Sequence, residues 1–397
     1  MSKIESGIAQ ITNHSEAISK ESLDRIDRDI SQAVGLPNHA YTDEGFFHSE
    51  KKKLFATTWT CIGNACDVPS PGDLKPVSFL GAPLLLCRGE DLQVRVFHNV
   101  CSHRGNELVW QAGNVKVAIT CPYHAWCYSL TGELLATPHI GGKSIHSLDG
   151  LDKTKHGLKQ ACSVVWMDLV FVNLSEDAAP FEEHIAPLIT RIDQLATKAQ
   201  FDTLKPAKSH GKLTIEFKGN WKLAIENNLD AYHLPWVHPD LNSISKFEDH
   251  YDYVVDDLFA GQGSSNYDHS LIEGMNLPVL DYWPEKIAEY PTLFPNVFFG
   301  FHCDHFWTRV VEPIATNKTL DHLQIYYFGD AADSNDFETA RQTRLKVWEK
   351  VFKEDIGVVE GMQRGRNSPA FDGGLFSSAL DRPSHSFTRW VAKKMSV

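Results

Sequence analysis

Two short runs of this chain combine cysteine and histidine in a way that can bind iron. Cys101 and His103 form the first pair, Cys121 and His124 form the second, and 17 residues separate the two pairs. A Rieske-type [2Fe–2S] cluster binds one iron through two thiolates and the other iron through two imidazoles. Because each run supplies one ligand of each kind, the spacing predicts such a cluster and therefore a protein that transfers electrons.

Other uses of these residues fit the pattern less well. A structural Cys2His2 zinc site places its cysteines in one knuckle and its histidines together on a helix, whereas here the two residue types alternate. A disulfide between Cys101 and Cys121 is disfavoured because nothing else in the chain indicates an oxidising compartment. Ordinary burial in the core is the remaining alternative. Gly105 would let the first loop turn close to the cluster and donate backbone N–H groups to its sulfurs.

The runs Cys-Ser-His-Arg-Gly and Cys-Pro-Tyr-His-Ala-Trp resemble the cluster motif of the Rieske non-haem iron oxygenases, specifically their large alpha subunits. Ala125 departs from that motif, since most relatives carry glycine there, and we expect altered loop packing without loss of the cluster. Respiratory Rieske proteins carry an additional cysteine in each loop, but Cys127 has no such partner in the first loop. The resemblance therefore implies the lower-potential cluster of the oxygenases.

A second group of metal ligands is predicted near the middle of the chain. His233 and His238 are five residues apart, and five residues of an unbroken helix rotate by about 140°, so both could not reach one metal ion. Pro235 disfavours helical geometry, so we expect the helix predicted over residues 221–232 to end or kink there. The pair is typical of a 2-His-1-carboxylate iron site. An incidental histidine pair at a helix end is the alternative.

The third ligand of such a site is a carboxylate, and Glu354 and Asp355 are adjacent candidates. Both lie in a helix predicted over residues 338–364. Its apolar residues recur at three- and four-residue spacing, and Asp355 continues their buried stripe. Glu354 shares its face with Lys350, which predicts a solvated ion pair. A carboxylate on a buried face needs a partner, which a cation would supply, so we choose Asp355. The stripe consists of Leu345, Trp348, Phe352, Val359 and Met362.

The resemblance assigns further roles. It implies that Asp230, on the same predicted helical face as His233, links the iron site to a Rieske histidine of a neighbouring subunit. It implies a terminal oxygenase that activates O2 at Fe(II) with electrons from NAD(P)H, delivered by a separate reductase of the flavin or ferredoxin type. It also implies a head-to-tail homotrimer and leaves open a small beta subunit.

The order of predicted elements indicates an α+β protein. We expect an N-terminal arm over residues 1–40, an all-β Rieske domain over residues 41–165 and a catalytic domain over residues 166–397. The catalytic domain is expected to combine an antiparallel sheet with the long C-terminal helix, as in helix-grip folds. Long strands are predicted over residues 296–311 and 320–327.

Composition limits the classes of function. The chain has 397 residues, a hydrophobic content of 42% and a formal net charge of −13, which indicate a folded protein that does not bind nucleic acid. The sequence has no run of about 18 apolar residues and no secretory segment at its start, so we expect a cytoplasmic protein without membrane contact. Its eight cysteines do not suggest a disulfide framework.

The best local indication of the substrate is an aromatic segment at residues 296–307. Strand alternation would place on one face Phe298, His302, Asp304 and Phe306. Aromatic rings with a carboxylate could bind a quaternary ammonium group through cation–π attraction and charge. Ordinary core packing is the alternative, since aromatic side chains are commonly buried.

The chain as a whole is most similar to the choline, betaine and carnitine oxygenases, which implies hydroxylation or N-demethylation of a small quaternary or methylated amine. Two other hypotheses remain. A ring-hydroxylating dioxygenase would act on an aromatic acid, because the same iron site performs several oxidations. An electron-transfer protein would carry the cluster without oxygenase activity, which the second ligand group disfavours.

Overall fold

The described part of the chain begins with an arm that packs on the C-terminus. The computed structural model describes residues 16–175, 177–255, 257–268, 277–280, 283–284 and 286–396. The first 15 residues of the predicted arm lie outside this part. Helix α1 (Lys20–Ile26) is held against the last helix of the chain, Arg382–Met395, because the Ile26 carbonyl accepts a hydrogen bond from His385 at 2.9 Å. The Ile18 N–H also donates to the Met395 carbonyl at 2.8 Å.

Three small antiparallel sheets carry and support the predicted cluster loops. Their strands are β1 (Thr60–Asn64), β2 (Asp73–Phe79), β3 (Ala82–Arg88), β4 (Val94–His98), β5 (Gly113–Asn114), β6 (Ile119–Thr120), β7 (Cys127–Tyr128), β8 (Leu134–Ala136), β9 (Cys162–Trp166) and β10 (Leu169–Asn173). The strand orders are β4-β3-β2-β5, β6-β7-β8 and β1-β10-β9. Leu85, Phe97 and Tyr128 form the apolar core against which Cys101 and Cys121 pack.

A large antiparallel sheet forms the framework of the second half. Its strands are β11 (Leu204–Pro206), β12 (Lys212–Phe217), β13 (His250–Val255), β14 (Phe259–Ser264), β15 (Ala288–Leu293), β16 (Val297–Phe301), β17 (Phe306–Ala315) and β18 (Lys318–Phe328). The order is β11-β18-β17-β16-β15-β14-β13, and β12 also pairs with β18. Strands β15 and β16 are buried along their whole length, so the centre of the sheet is covered on both faces.

Helices cover both faces of this sheet. They are α2 (His39–Thr42), α3 (Glu44–Glu50), α4 (Phe181–Ile192), α5 (Lys198–Phe201), α6 (Trp221–Leu229), α7 (Leu234–Val237), α8 (Pro239–Ile244), α9 (Glu338–Gly365) and α10 (Arg382–Met395), and a π-helical turn (Lys51–Phe55) follows α3. Trp348, Phe352 and Val359 of α9 are buried in the main apolar core, as their spacing predicts. None of the helices in the described residues is long and apolar enough to cross a membrane.

A buried ion pair fixes α6, the helix that leads to the predicted iron ligands. Lys222 Nζ lies 2.6 Å from Glu50 Oε1, and both side chains are fully buried. The Trp221 indole N–H donates to the other Glu50 oxygen at 3.2 Å. Because each buried charge has its partner in the adjacent helix, a shift of α6 along α3 would expose an uncompensated charge to the core.

The structure confirms the α+β fold class with an antiparallel sheet and a long C-terminal helix, and α9 agrees with the predicted helix within one residue. The prediction of a single strand over residues 296–311 is wrong, because two strands occupy this segment. The chain reverses between β16 and β17, which pair with each other, and Phe301 lies opposite Phe306. The four residues of this turn are held by tertiary contacts described below. None of the eight cysteines forms a disulfide bond in the described residues.

Candidate metal centres and substrate cavity

Two loops of the same shape present the predicted cluster ligands. In the first loop the Gly105 N–H donates to the Cys101 carbonyl at 2.9 Å, and in the second the Ala125 N–H donates to the Cys121 carbonyl at 3.0 Å. Each loop is closed by a further hydrogen bond from its cysteine N–H. The Gly105 amide therefore stabilises the loop itself. The expected tight turn is present.

The side chains of the two loops point toward one another. Cys101 and Cys121 are each 2% exposed, and the imidazole centroids of His103 and His124 are 4.7 Å apart. Nδ1 of His124 is buried and has no hydrogen-bond partner among the described residues. A buried ring nitrogen without a partner, next to a second imidazole and two buried thiols, fits the ligand set of a Rieske cluster.

Neighbouring side chains contact the imidazole of His103 and the thiol of Cys101, and these contacts favour metal binding. Trp126 stacks on His103 with a centroid distance of 4.7 Å. Burial, together with the charges of His124 and Arg104, lowers the pKa of His103, which favours the neutral imidazole that binds metal. Tyr128 Oη lies 3.1 Å from Cys101 Sγ. A hydrogen bond to a cluster thiolate stabilises the reduced, more negative cluster.

The departure from the family motif at Ala125 has a structural consequence. Ala125 has φ = 55° and Gly105, at the matching place in the first loop, has φ = 70°. Both values lie in the left-handed region, where a Cβ atom costs about 1 kcal/mol. Ala125 is therefore a strained residue in an otherwise regular cluster loop.

The predicted iron ligands lie where α6 ends. The helix stops at Leu229, earlier than predicted, and Asp230 is extended with φ = −101° and ψ = 116°. Asp230 and His233 therefore do not share a helical face, which corrects that prediction. Their side chains are still in contact, with Asp230 Oδ2 3.3 Å from His233 Nδ1. Pro235 lies at the start of α7 instead of ending α6, so it initiates the short helix that separates the two histidines.

Three side chains from two distant elements converge at this point. Oδ1 of Asp355 in α9 lies 2.9 Å from His238 Nε2 and 3.6 Å from His233 Nε2. Their candidate donor atoms all lie within 4.8 Å of one another. Two imidazoles and one carboxylate in this arrangement leave one side of a metal ion open, which is the donor set of non-haem Fe(II) sites.

Glu354 forms the predicted ion pair with Lys350, at 4.0 Å, and has a second contact that was not predicted. Its other oxygen, Oε2, accepts a hydrogen bond from His238 Nδ1 at 2.9 Å. Lys350 also forms an ion pair with Asp240. Glu354 therefore holds the His238 ring with Nε2 directed at Asp355, and sequence periodicity alone gave no signal for this role.

Charges at the site favour an ionised carboxylate. Burial raises the pKa of Asp355, but the hydrogen bond from His238 and the charges of both histidines outweigh it and lower that pKa. Burial lowers the pKa of His238, but Asp355 and Glu354 outweigh it and raise that pKa. The carboxylate is thus ionised and available as a ligand under ordinary conditions.

A small cavity opens beside these three residues. Its volume is about 70 Å³, and its wall combines four aromatic rings with polar side chains and with Arg309, whose charge is paired with Asp321. The rings are those of Tyr290, Trp307, Trp348 and Phe352. Trp307 and Trp348 meet edge to face at 5.3 Å, and Trp348 stacks on Phe352 at 5.4 Å. The arrangement can hold a compact apolar or cationic group close to the metal ligands.

The predicted substrate-binding face of residues 296–307 is not formed. Phe298 and Phe306 belong to different apolar clusters because the chain reverses between them. Asp304 is paired with Arg344 and with His305, so its charge is already balanced. His302 stacks on His305 at 4.4 Å. None of the four predicted residues lines the cavity as the described residues define it.

Comparison with known families agrees with this geometry. Residues 58–149 match the family described as the Rieske [2Fe-2S] domain, and residues 204–397 match the ring hydroxylating alpha subunit (catalytic domain). The chain therefore belongs to the Rieske non-haem iron oxygenases, as an alpha-type oxygenase subunit with a Rieske cluster and a mononuclear iron. The alternative of an electron-transfer protein without a catalytic domain is excluded.

Individual proteins similar to this chain include oxygenase subunits of two monooxygenases. The chain is 29% identical over 346 residues to the carnitine monooxygenase oxygenase subunit of Acinetobacter pittii, covering 85% of this chain and 86% of that protein. It is 27% identical over 396 residues to the glycine betaine monooxygenase oxygenase subunit of Chromohalobacter salexigens, covering 91% and 85%. The crystal structure of the quaternary ammonium Rieske monooxygenase CntA with L-carnitine superposes with a TM-score of 0.75 at 23% identity, covering 94% and 99%.

Proposed function

We propose that this chain is the terminal oxygenase of a multicomponent system that oxidises a small quaternary or methylated amine. The observation that carries the proposal is the aromatic cavity beside His233, His238 and Asp355. Aromatic faces attract quaternary ammonium groups, which have no N–H to donate to a hydrogen bond. The named substrates of the two relatives, carnitine and glycine betaine, support the same class.

Oxidation of an aromatic acid is the less favoured alternative, because the two relatives are named for carnitine and glycine betaine.

The iron site is assigned to His233, His238 and Asp355. These residues would hold Fe(II), which would supply the activation of O2, and all three also line the aromatic cavity. Glu354 contacts Nδ1 of His238, and Asp230 contacts Nδ1 of His233, so each carboxylate orients one imidazole. The cavity walls keep the headgroup close to the metal, so oxidation falls on an N-methyl group or an adjacent carbon.

The cluster site is assigned to Cys101, His103, Cys121 and His124. Their loops hold a Rieske cluster that receives electrons from NAD(P)H through a separate reductase of the flavin or ferredoxin type. A soluble nicotinamide donor is consistent with a cytoplasmic location. The net charge of −13 would suit a reductase with a basic docking face.

The assembly proposed for electron transfer is a head-to-tail homotrimer. Tyr123, in the second cluster loop, is 58% exposed, which leaves the tip of this loop open to a neighbour. A cavity of about 370 Å³ lies beside Asp230, and Leu375 on its rim is 88% exposed. These are two different surfaces, so docking one on the other gives a heterologous interface, which closes into a ring when the rotation between neighbours permits it. Asp230 would then bridge His233 to a Rieske histidine of the neighbour, without need of a beta subunit.

Ligand binding to the iron-loaded enzyme tests the substrate class without a reductase. Nitric oxide bound to Fe(II) gives an electron paramagnetic resonance signal that responds to a neighbouring ligand. We expect choline, betaine or carnitine to change this signal, and benzoate to leave it unchanged. A response to benzoate alone would overturn the proposal in favour of the aromatic-acid alternative.

A further inference from the structure

A chain of polar contacts runs through the core behind the aromatic cavity. The Trp348 indole N–H donates to His305 Nε2 at 2.8 Å. On the other side of the ring, His305 Nδ1 lies 2.6 Å from Asp304 Oδ1. Asp304 also forms an ion pair with Arg344, whose side chain is 2% exposed. These contacts thus lead from the buried Asp304–Arg344 charge pair to the wall of the cavity.

The direction of each hydrogen bond follows from the donor and acceptor groups. An indole nitrogen only donates, so His305 Nε2 must accept and carries no proton. His305 Nδ1 therefore carries the proton and donates it to the Asp304 carboxylate. Burial raises the pKa of Asp304, but His305 and Arg344 outweigh it and hold that pKa well below its ordinary range. The carboxylate is thus ionised, and it increases the electron density of the imidazole that accepts from Trp348.

The position of Trp348 connects these polar contacts to the substrate site. The indole is part of the cavity wall, together with Trp307 and Phe352. Its N–H donates to His305, which in turn contacts Asp304. Donation of a hydrogen bond to a strong acceptor makes an indole ring more electron-rich, and a more electron-rich ring attracts a cation more strongly.

We propose that the Asp304–His305 pair is a specificity device that polarises the Trp348 ring, so that the cavity prefers a cationic headgroup over a neutral group of the same shape. The inference rests on the proposed function, because it concerns the same headgroup. It assigns Asp304 and His305 as positioning residues that act through Trp348 without touching substrate. The balanced charge of Asp304 therefore contributes to recognition indirectly.

Calorimetric titration of the iron-loaded enzyme with two isosteric ligands tests the inference. Choline carries a trimethylammonium group, and 3,3-dimethylbutan-1-ol carries a neutral tert-butyl group of the same shape. The variants are His305→Leu, which removes the acceptor, and His305→Gln, which can keep an acceptor for the indole N–H. Trp348→Phe removes the N–H itself. Thermal unfolding monitors the fold of each variant.

We expect His305→Leu to weaken choline binding about three- to tenfold, the range of a modest cation–π contribution, and to change binding of the neutral alcohol less than about twofold. His305→Gln should recover part of the loss. In the Trp348→Phe background, His305→Leu should have no further effect on choline, because the donor is already absent. If His305→Leu does not fold, the comparison of His305→Gln with Trp348→Phe still tests whether the N–H acceptor matters.

Three results would each overturn one of two claims. Equal affinity of the unmodified enzyme for choline and the alcohol would contradict the proposed substrate class. A clear preference for choline that survives unchanged in His305→Leu and Trp348→Phe would leave the substrate class intact and overturn the role of the Asp304–His305 pair. Equal weakening of both ligands would also overturn it, because that pattern indicates altered packing alone.

Discussion

Each candidate iron-binding histidine has a carboxylate on its second ring nitrogen. His233 faces Asp230 at 3.3 Å and His238 faces Glu354 at 2.9 Å. Such a carboxylate fixes the tautomer, so that Nε2 of each ring is free for metal. The two carboxylates differ in their surroundings, because Asp230 opens onto the proposed subunit interface whereas Glu354 lies along α9. We therefore propose that Asp230 also serves electron transfer, whereas Glu354 only orients its ring.

Replacement of Asp355 by alanine tests the choice between adjacent carboxylates. We expect Asp355→Ala to lose the mononuclear iron and turnover, because two imidazoles alone leave the metal weakly bound. The visible spectrum of the Rieske cluster should be unchanged, since its ligands belong to other elements. Metal analysis and absorption spectroscopy measure both. Glu349→Ala, on an exposed ion pair of the same helix, is the control, and full iron retention in Asp355→Ala would show that the ligand was chosen wrongly.

Replacement of Glu354 by glutamine tests the orienting role. The amide keeps the size of the side chain but loses the charge that holds the His238 Nδ1–H. We expect Glu354→Gln to weaken Fe(II) binding about 10- to 100-fold, as outer-sphere partners of metal ligands commonly do. Competition with a chelator measures the affinity. Unchanged iron affinity would mean that Glu354 only contributes to the helix surface.

At the scale of elements, the ends and turns were the least predictable features. Helix α9 was predicted closely because a long apolar stripe defines it. The turn between β16 and β17 was missed, since its four residues, His-Cys-Asp-His, contain neither glycine nor proline. Ion pairing with Arg344 and the hydrogen bond from Trp348, some forty residues away, hold this turn. A local pattern cannot contain that information.

The meeting of the two cluster loops could be predicted, because each cysteine–histidine pair is a short local pattern, and the structure brings their side chains together. The end of α6 could not, because Pro235 suggested a later break. Asp230 instead ends the helix locally, where its side chain accepts a hydrogen bond from the Tyr232 N–H. The contact of Glu354 with His238 was missed for a related reason, since His238 belongs to a distant segment.

The two cluster loops allow a matched stability experiment. Ala125→Gly removes a Cβ from a left-handed residue and should stabilise the fold by roughly 0.5–1 kcal/mol. Gly105→Ala introduces the same strain in the other loop and should destabilise by a similar amount, since no atom lies within 4 Å of the added Cβ. Denaturant unfolding of the holoprotein measures both changes. Destabilisation by Ala125→Gly would contradict the account of the strained loop.

At the scale of the whole molecule, the proposed trimer makes each active site depend on two chains. Asp355→Ala chains keep the cluster but lack iron, and Cys101→Ser chains keep the iron ligands but lose the cluster. In mixed oligomers an interface is productive only when an intact cluster meets an intact iron site. We expect each variant alone to be inactive and a random equal mixture to recover about one quarter of the activity.

The mixing experiment also separates the two routes of electron transfer. Mixed oligomers have to be isolated through two different affinity tags, so that exchange of chains is established before activity is measured. Absence of activity in such oligomers would show that electrons pass between the two metal sites of one chain. Asp230 would then have no bridging role.

A single turnover tests the central claim most directly. The enzyme, loaded with both metal centres and chemically reduced, is exposed to ¹⁸O2 with choline, betaine, carnitine or an aromatic carboxylate, and the products are identified by mass. We expect one methylated amine to gain a single ¹⁸O atom or to lose a methyl group, with oxidation of the cluster. Formation of a labelled dihydrodiol or phenol, with every amine unchanged, would contradict this account.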